Sequence, residues 1–183
     1  MTCKKPRDTI QAESNEKRKG NMKINREKTR RPRAELSRPV RLGIEQGILH
    51  PDLSVHDYGC GEGTDVKLLK SLGFLATGHD IDKGVKFSAE IVTCTYVINT
   101  VENPVERAEL LKDAYTLARK GLLVSARTDK YAAKGWPVYG DGFLNSNNSF
   151  QKFYSNAELA AYILEVTGKA PIKVVNGIFY VSK

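Results

Sequence analysis

The sequence predicts a mainly parallel α/β sheet that ends in an antiparallel hairpin. Three observations predict it. Short β-rich runs alternate with stretches of helical period between residues 53 and 126. One of those runs, Ile91 to Val97, is apolar enough to be buried on both faces, as strands of a parallel sheet are. The last two runs are separated only by Asn176-Gly177, a turn signal.

The elements follow in order. Residues 1–34 are expected to form a disordered basic arm: residues 1–23 are almost free of large apolar groups, and order is expected to begin near Glu35. Residues 35–183 are expected to form a single domain. Ser37 can cap a helix with Pro39 in its first turn, which Gly47 and Pro51 close. Leu53 to Tyr58 reads as a strand running into a glycine turn, Asp65 to Leu72 as a helix stopped by Gly73, and Phe74 to His79 as a second strand. Ile91 to Val97 is the third strand. Pro104 opens a long helix expected to run through Arg119 and to stop at Gly121, with Leu122 to Ala126 as the fourth strand. Ser155 and Glu158 form a capping-box pair for a helix to Val166. Ile172 to Val175 and Ile178 to Ser182 make the hairpin, with a type I′ signal at its turn.

Composition narrows the function. Residues 1–41 carry fourteen Lys/Arg against five Asp/Glu, and residues 42–183 carry fifteen against sixteen, so the whole excess of a chain of net charge +8 sits at one end. Such an arm suits a polyanion, or it is a solubilising tail. No run approaches the ~18 apolar residues of a membrane span. Cys3, Cys60 and Cys94 are too scattered for a disulfide framework, and His50, His56 and His79 add no ligand spacing, so no metal site is expected. No hydrophobic segment follows Met1, and Asp8, Glu13 and Glu16 argue against a mitochondrial presequence; a cytoplasmic protein is expected.

The chemistry sits in Asp57-Tyr58-Gly59-Cys60-Gly61-Glu62-Gly63, between a strand and a helix. Gly59 and Gly61 let the backbone turn and approach a ligand without a Cβ in the way. Thr64 stands where a dinucleotide fingerprint wants its third glycine, and no Lys-Ser/Thr pair follows for a triphosphate. Asp80 ends the second strand, 23 residues after Asp57, placed to accept hydrogen bonds from ribose hydroxyls. A glycine loop and a ribose acid without phosphate chemistry describe a nucleoside cofactor carrying an amino acid, S-adenosylmethionine. His56 and His79, beside the two acids, read as a buried hydrogen-bonded pair, Cys60 and Cys94 as structural, and Glu62 and Asp65 as surface acids at a helix start.

These residues resemble the Rossmann-like class I S-adenosylmethionine-dependent methyltransferases. A narrower resemblance, over roughly Lys23 to Lys183, is to the DNA phosphorothioation-associated methyltransferases. It is carried by Leu36 to Leu42, Asp57 to Gly61, Tyr96 to Pro104, Gly140-Asp141-Gly142 and Phe150 to Tyr154. The resemblance implies cofactor contacts from Asp57, Gly59, Cys60, Gly61, Asp80 and Ile81, with Thr95 and Tyr96 lining the methionine end. It also implies a setting in DNA modification or defence. Ile98-Asn99-Thr100 replaces the Leu-Glu-His turn of many such enzymes, and neither an Asp/Asn-Pro-Pro-aromatic clamp nor a Pro-Cys nucleophile is present.

Ten residues separate Asp80 from Ile91, where the family places a helix, a strand and another helix. Ten residues reach at most ~36 Å, enough for a stretched connector but not for a helix. The sheet is therefore expected to lack the outermost strand beside the second one. Seven of the chain's fifteen aromatics fall in residues 128–154, which suits either base stacking or a plain cover for the open end of the sheet. Tyr96, Asn99, Asp141 and Gln151 are the acceptor-side candidates. Arg30, Arg31, Arg33, Arg38, Arg41 and Lys152 are the candidates for nucleic-acid phosphates. Three readings stand: methyl transfer to nucleic acid, methyl transfer to a small molecule or protein, and a non-catalytic nucleic-acid-binding or adaptor protein on the same scaffold.

Overall fold

A computed structural model describes residues 23–183. A 3₁₀ turn at Arg26–Thr29 precedes helix α1 (Arg38–Glu45). The parallel unit follows as β1 (Val55–Tyr58), α2 (Thr64–Ser71), β2 (Ala76–His79), β3 (Ala89–Thr95), α3 (Pro104–Leu117) and β4 (Ala118–Ser125). Three short strands come next, β5 (Val138–Tyr139), β6 (Gly142–Leu144) and β7 (Phe150–Gln151), then α4 (Asn156–Thr167) and the hairpin β8 (Ile172–Val175) and β9 (Ile178–Ser182).

The main sheet has six strands in the order β2-β1-β3-β4-β9-β8. The pairs among β1 to β4 are parallel, and β9 runs antiparallel to both β4 and β8. Chain order reverses between β1 and β3, which opens a crevice beyond their carboxyl ends. Alternation along β3 feeds two cores. Val92 and Cys94 pack with Leu111, Leu122 and Ile163 on the α3–α4 side, while Ile91 packs with Val40, Leu69 and Leu123 on the α1–α2 side.

The expected gap in the sheet is present: among the described residues no strand lies outside β2, and the connector from Asp80 to Ser88 contains no helix. Asp80 and Lys83 close a tight turn through paired backbone bonds.

Other expectations are corrected. α3 stops at Leu117 and β4 begins at Ala118 with no turn between them, so Gly121 does not end the helix. Gly121 lies inside β4, where a Cβ would collide with the Tyr180 hydroxyl. Strand β3 ends at Thr95, before Val97, because Tyr96 turns to φ 58°. Ser37 precedes α1 without a capping bond from its side chain. The hairpin turn is not type I′, which needs two positive φ values; of its two central residues only Gly177 has one, at 73°. The sheet β5-β6-β7 was not expected, since strands of two or three residues carry no periodicity.

The expected arm also divides. Residues 1–22 lie outside the described residues, whereas residues 23–34 pack against the domain. Asn25 bonds through its amide and side chain to Asn148 and Asn147, and Arg26 reaches the start of α3. Acids of the domain, which an arm-wide charge count passes over, draw this segment down.

Candidate functional site

The glycine loop is held from below and open above. Gly59 has φ 80° and Gly61 φ 55°, a region costly for residues with a Cβ. The amides of Gly59 and Cys60 both donate to the His79 carbonyl at 2.9 Å, which fixes the loop to the end of β2. A Cβ on Gly59 would lie 2.5 Å from Val97 Cγ2. Above Gly61 a Cβ would meet only the flexible Arg30 side chain, at 3.6 Å.

Asp80 ties the loop to the second strand, its Oδ2 accepting from the Gly61 amide at 2.7 Å. Its Oδ1 accepts from Arg30 at 2.6 Å and from the Ile81 amide at 2.9 Å. Arg30 also forks onto Asp82 at 2.8 and 2.7 Å, and that guanidinium holds the Asp82 carboxyl below its ordinary pKa. Asp57 sits beneath the loop, fully buried, accepting from the Thr93 hydroxyl at 2.8 Å. Burial, reinforced by the nearby Asp65 charge, pushes the pKa of Asp57 up to about 7.

Asp65 is not the surface acid that was expected. It is 1 % exposed and accepts from the Ser37 amide and from Arg33, both at 2.7 Å, which joins α1 to α2. His56 and His79 are the expected pair: Nε2 of one lies 2.8 Å from Nδ1 of the other, with rings 5.0 Å apart and 9° from parallel. Burial lowers both, His56 to about 4, so the pair is neutral at physiological pH. Burial raises the Cys60 thiol to about 11 and the Cys94 thiol well above its ordinary value, which suits their structural reading.

A cleft of about 1620 Å³ opens over these residues, at the carboxyl ends of β1 to β4. The cleft brings together Asp57, Gly59, Cys60, Gly61, Asp80, Ile81, Thr95, Tyr96, Asn99 and Gln151, with Arg30, Arg31, Arg33 and Arg38. Asn99 donates to Gln151 Oε1 at 3.0 Å, and the buried Asn99 Oδ1 has no partner.

Asp141, Lys152 and Arg41 do not line the cleft. Asp141 is taken by Arg107 at 2.7 Å and by Lys152 at 3.1 Å, and Lys152 also binds Glu158 at 2.7 Å, so all three serve packing. Arg41 is exposed near Glu35. Two features escaped the sequence reading. Arg26 binds both Glu102, two residues before α3, and Glu106 in its first turn, acids whose partner lies 76 and 80 residues away in the chain. Arg127 faces the cleft just past β4, where the rule that ligands bind beyond strand carboxyl ends could have found it.

No family model and no curated protein matches the sequence. Among solved structures, the chain is similar to the magnesium protoporphyrin IX methyltransferase of Synechocystis PCC 6803 with bound S-adenosylhomocysteine, at TM-score 0.57 and 16% identity over 94% of each chain. It is similar to a SAM-dependent methyltransferase of Methanosarcina mazei at TM-score 0.57 and 15% identity, over 76% of this chain and 94% of that one. It also resembles the 1,6-didemethyltoxoflavin-N1-methyltransferase of Burkholderia thailandensis at TM-score 0.55 and 16% identity, over 79% and 76% of the two chains. The fold is that of the class I methyltransferases.

Proposed function

We propose that the protein is an S-adenosylmethionine-dependent methyltransferase. One observation carries the reading: the Asp80 carboxylate at the end of β2 is bonded to the Gly61 amide of the glycine loop, in a cleft at the carboxyl ends of the strands. The residues fit the cofactor. Gly59 and Gly61 leave backbone surface bare, Asp80 faces the place of a ribose, and Asp57 puts a titratable acid beneath the amino-acid end.

The cofactor would supply an electrophilic methyl on a sulfonium, which a nucleophile attacks in line. The chain's own work is positioning. The glycine loop and Asp80 hold the donor, Thr95 and Tyr96 border the methyl end, and Asn99 with Gln151 forms a fixed amide wall on the acceptor side. Residues 25–33 run along the cleft, bonded at one end to the Asn147 turn and at the other to Asp80.

Transfer to nucleic acid, in the manner the phosphorothioation-associated resemblance implies, is supported by the +9 balance of residues 1–41. The pairing of Arg30, Arg33 and Lys152 with the protein's own acids weighs against those cations as phosphate ligands. Calorimetry with S-adenosylhomocysteine tests the cofactor reading: saturable binding in wild type, lost in Asp80→Ala, is expected. No binding at millimolar ligand sinks it and leaves the adaptor reading. Deleting residues 1–22 separates the acceptors, since methylation of nucleic acid is lost and that of a small molecule survives.

A further inference from the structure

Residues 128–154 hold seven of the chain's fifteen aromatics, and the structure sorts them. Phe150 and Tyr154 are buried and Tyr139 packs edge-on against Phe150, so these three cover the core. Tyr131 stands out in solvent at 92% exposed. The remaining three meet on one face of the small sheet. Phe143 lies opposite Gln151 in the β6–β7 register, so the two side chains share a face, and the Phe153 ring lies 6.1 Å from that of Phe143. Trp136 rests on Phe153 at 6.3 Å. Of the seven aromatics, Trp136 alone lines the cleft.

The indole is braced without being covered. Its supporting rings are themselves held, Phe143 by Lys130 at 6.0 Å and Phe153 by the guanidinium carbon of Arg127 at 4.9 Å. The Trp136 amide donates to the Ala133 carbonyl at 2.9 Å, which fixes the side chain at its root. Phe153 meets the indole at a tilt of 56°, and no ring among the described residues stacks parallel on it. A large flat side chain kept half-buried at the wall of a cleft is a stacking surface. Gln151 lines the cleft from the same sheet face. Its Oε1 is taken by Asn99, which leaves the amide nitrogen as a polar donor beside the rings.

We infer that the methyl acceptor is a free small molecule with a planar aromatic or heteroaromatic ring, and that this ring lies against Trp136. Calling the ligand an acceptor rests on the methyl-transfer reading; the ring site does not. The cofactor's own ring is a poorer occupant. Adenine is joined directly to the ribose, which belongs at Asp80 on the end of β2, whereas Trp136 and Phe153 stand with Arg127 past the end of β4. In the order β2-β1-β3-β4 those ends are three strand spacings apart, about 14 Å. The methionine end of the cofactor, at Thr95 and Tyr96, carries no ring. A base within a nucleic-acid strand is poorer too, since strand binding uses successive exposed rings and here one of the seven lines the cleft.

Trp136 is the chain's only tryptophan, so its indole gives a single Nε1–Hε1 signal in ¹H–¹⁵N spectra. The probes are 2-naphthamide, its saturated decahydro analogue, thymidine and a short oligothymidylate, each with and without S-adenosylhomocysteine. 2-Naphthamide is expected to shift that signal at millimolar concentration, at least about fivefold more tightly than the saturated analogue, in both conditions. Followed on the ligand's own signals, its binding should weaken at least about fivefold in Trp136→Leu, stay within about threefold in Trp136→Phe and be unchanged in Tyr131→Ala. Equal binding of the two bicycles overturns the inference, as does full naphthamide binding in Trp136→Leu. Competition by S-adenosylhomocysteine also overturns it and gives the ring site to the cofactor. Oligothymidylate that engages the indole at least about tenfold more tightly than thymidine overturns it in favour of nucleic acid. Naphthamide binding without any S-adenosylhomocysteine binding leaves the ring site standing and sinks methyl transfer. S-adenosylhomocysteine binding without naphthamide binding does the reverse.

Discussion

Arg30 and Asp80 form an ion pair of 2.6 Å at the point where a ribose would be gripped, with side chains only 16% and 13% exposed. Asp80 has its other oxygen on the Gly61 amide, so the group that shapes the loop is also capped by residue 30. A carboxylate offers about four lone-pair sites, and on Asp80 Oδ1 they are taken by the Ile81 amide and by one Arg30 Nη2. Ribose hydroxyls and Arg30 therefore compete for one oxygen.

From that competition, Arg30→Ala is expected to tighten S-adenosylhomocysteine binding by roughly 3- to 10-fold, of the order of one displaced charge-assisted hydrogen bond. Asp80→Asn should weaken it by at least about tenfold. Calorimetry on the two variants reads both signs, and a loss of affinity in Arg30→Ala would show that the arginine contributes to the grip.

Arg26 anchors the same segment from the other side, through Glu102 at 2.9 and 3.0 Å and through Glu106. Half-exposed pairs contribute little to global stability. Arg26→Ala should consequently free residues 23–34 while the sheet stays intact: trypsin should cut at Lys28 or Arg30 several-fold faster, with the melting temperature moved by no more than about 2 °C. Unchanged cleavage would mean that the Asn25 bonds and the Arg30 fork hold the strap without it.

What was legible in the sequence, and what was not, divides by range. The β1–loop–β2 unit reads directly because its signals are local: glycines that need positive φ, an acid at each strand end, and a connector after Asp80 too short for a helix. The internal pairing of the arginines does not read at all. Arg30 meets Asp80 and Asp82 across some fifty residues, and Arg107 meets Asp141 across 34. A charge count sees fourteen cations in the first 41 residues and cannot see which face an acid. Gly121 misled for a related reason. Its small size answers to Tyr180, on a strand 59 residues later, and not to the helix before it.

The buried Asp57 makes stability depend on pH in a direction opposite to ordinary carboxylates. Its folded pKa of about 7 lies above the unfolded 3.8, so the native state holds this proton more tightly. The stabilisation is complete below about pH 4 and is lost as pH rises through 7. His56 runs the other way: its folded value of about 4 lies below 6.5, so its contribution is present above 6.5 and lost as pH falls. Asp57→Asn keeps the acceptor for Thr93 and removes the charge. In urea titrations its stability relative to wild type should rise between pH 4 and 7, by up to roughly 4 kcal/mol, and level off above. A pH-independent difference would show that Asp57 is not the titrating group.

Asp141 supplies the control that separates packing from function. Arg107 is 3% exposed in its side chain, donates twice to the Val101 carbonyl at 2.9 and 2.8 Å, and is neutralised by Asp141 at 2.7 and 3.0 Å. Asp141 holds the β5–β6 turn onto α3, and the positive charges of Arg107 and Lys152 keep its own pKa low against burial. Removing its charge leaves a buried guanidinium with only neutral acceptors. Asp141→Asn should therefore cost about 1–3 kcal/mol, less than a fully buried pair because the carboxylate is 37% exposed. Arg107→Met in the same background should restore part of that loss, since an apolar side chain leaves no charge uncompensated. S-adenosylhomocysteine affinity should stay within about twofold of wild type in both variants. Had Asp141 been an acceptor-orienting acid, as its polar stretch in the sequence suggests, the pattern would invert: stability would hold while turnover fell.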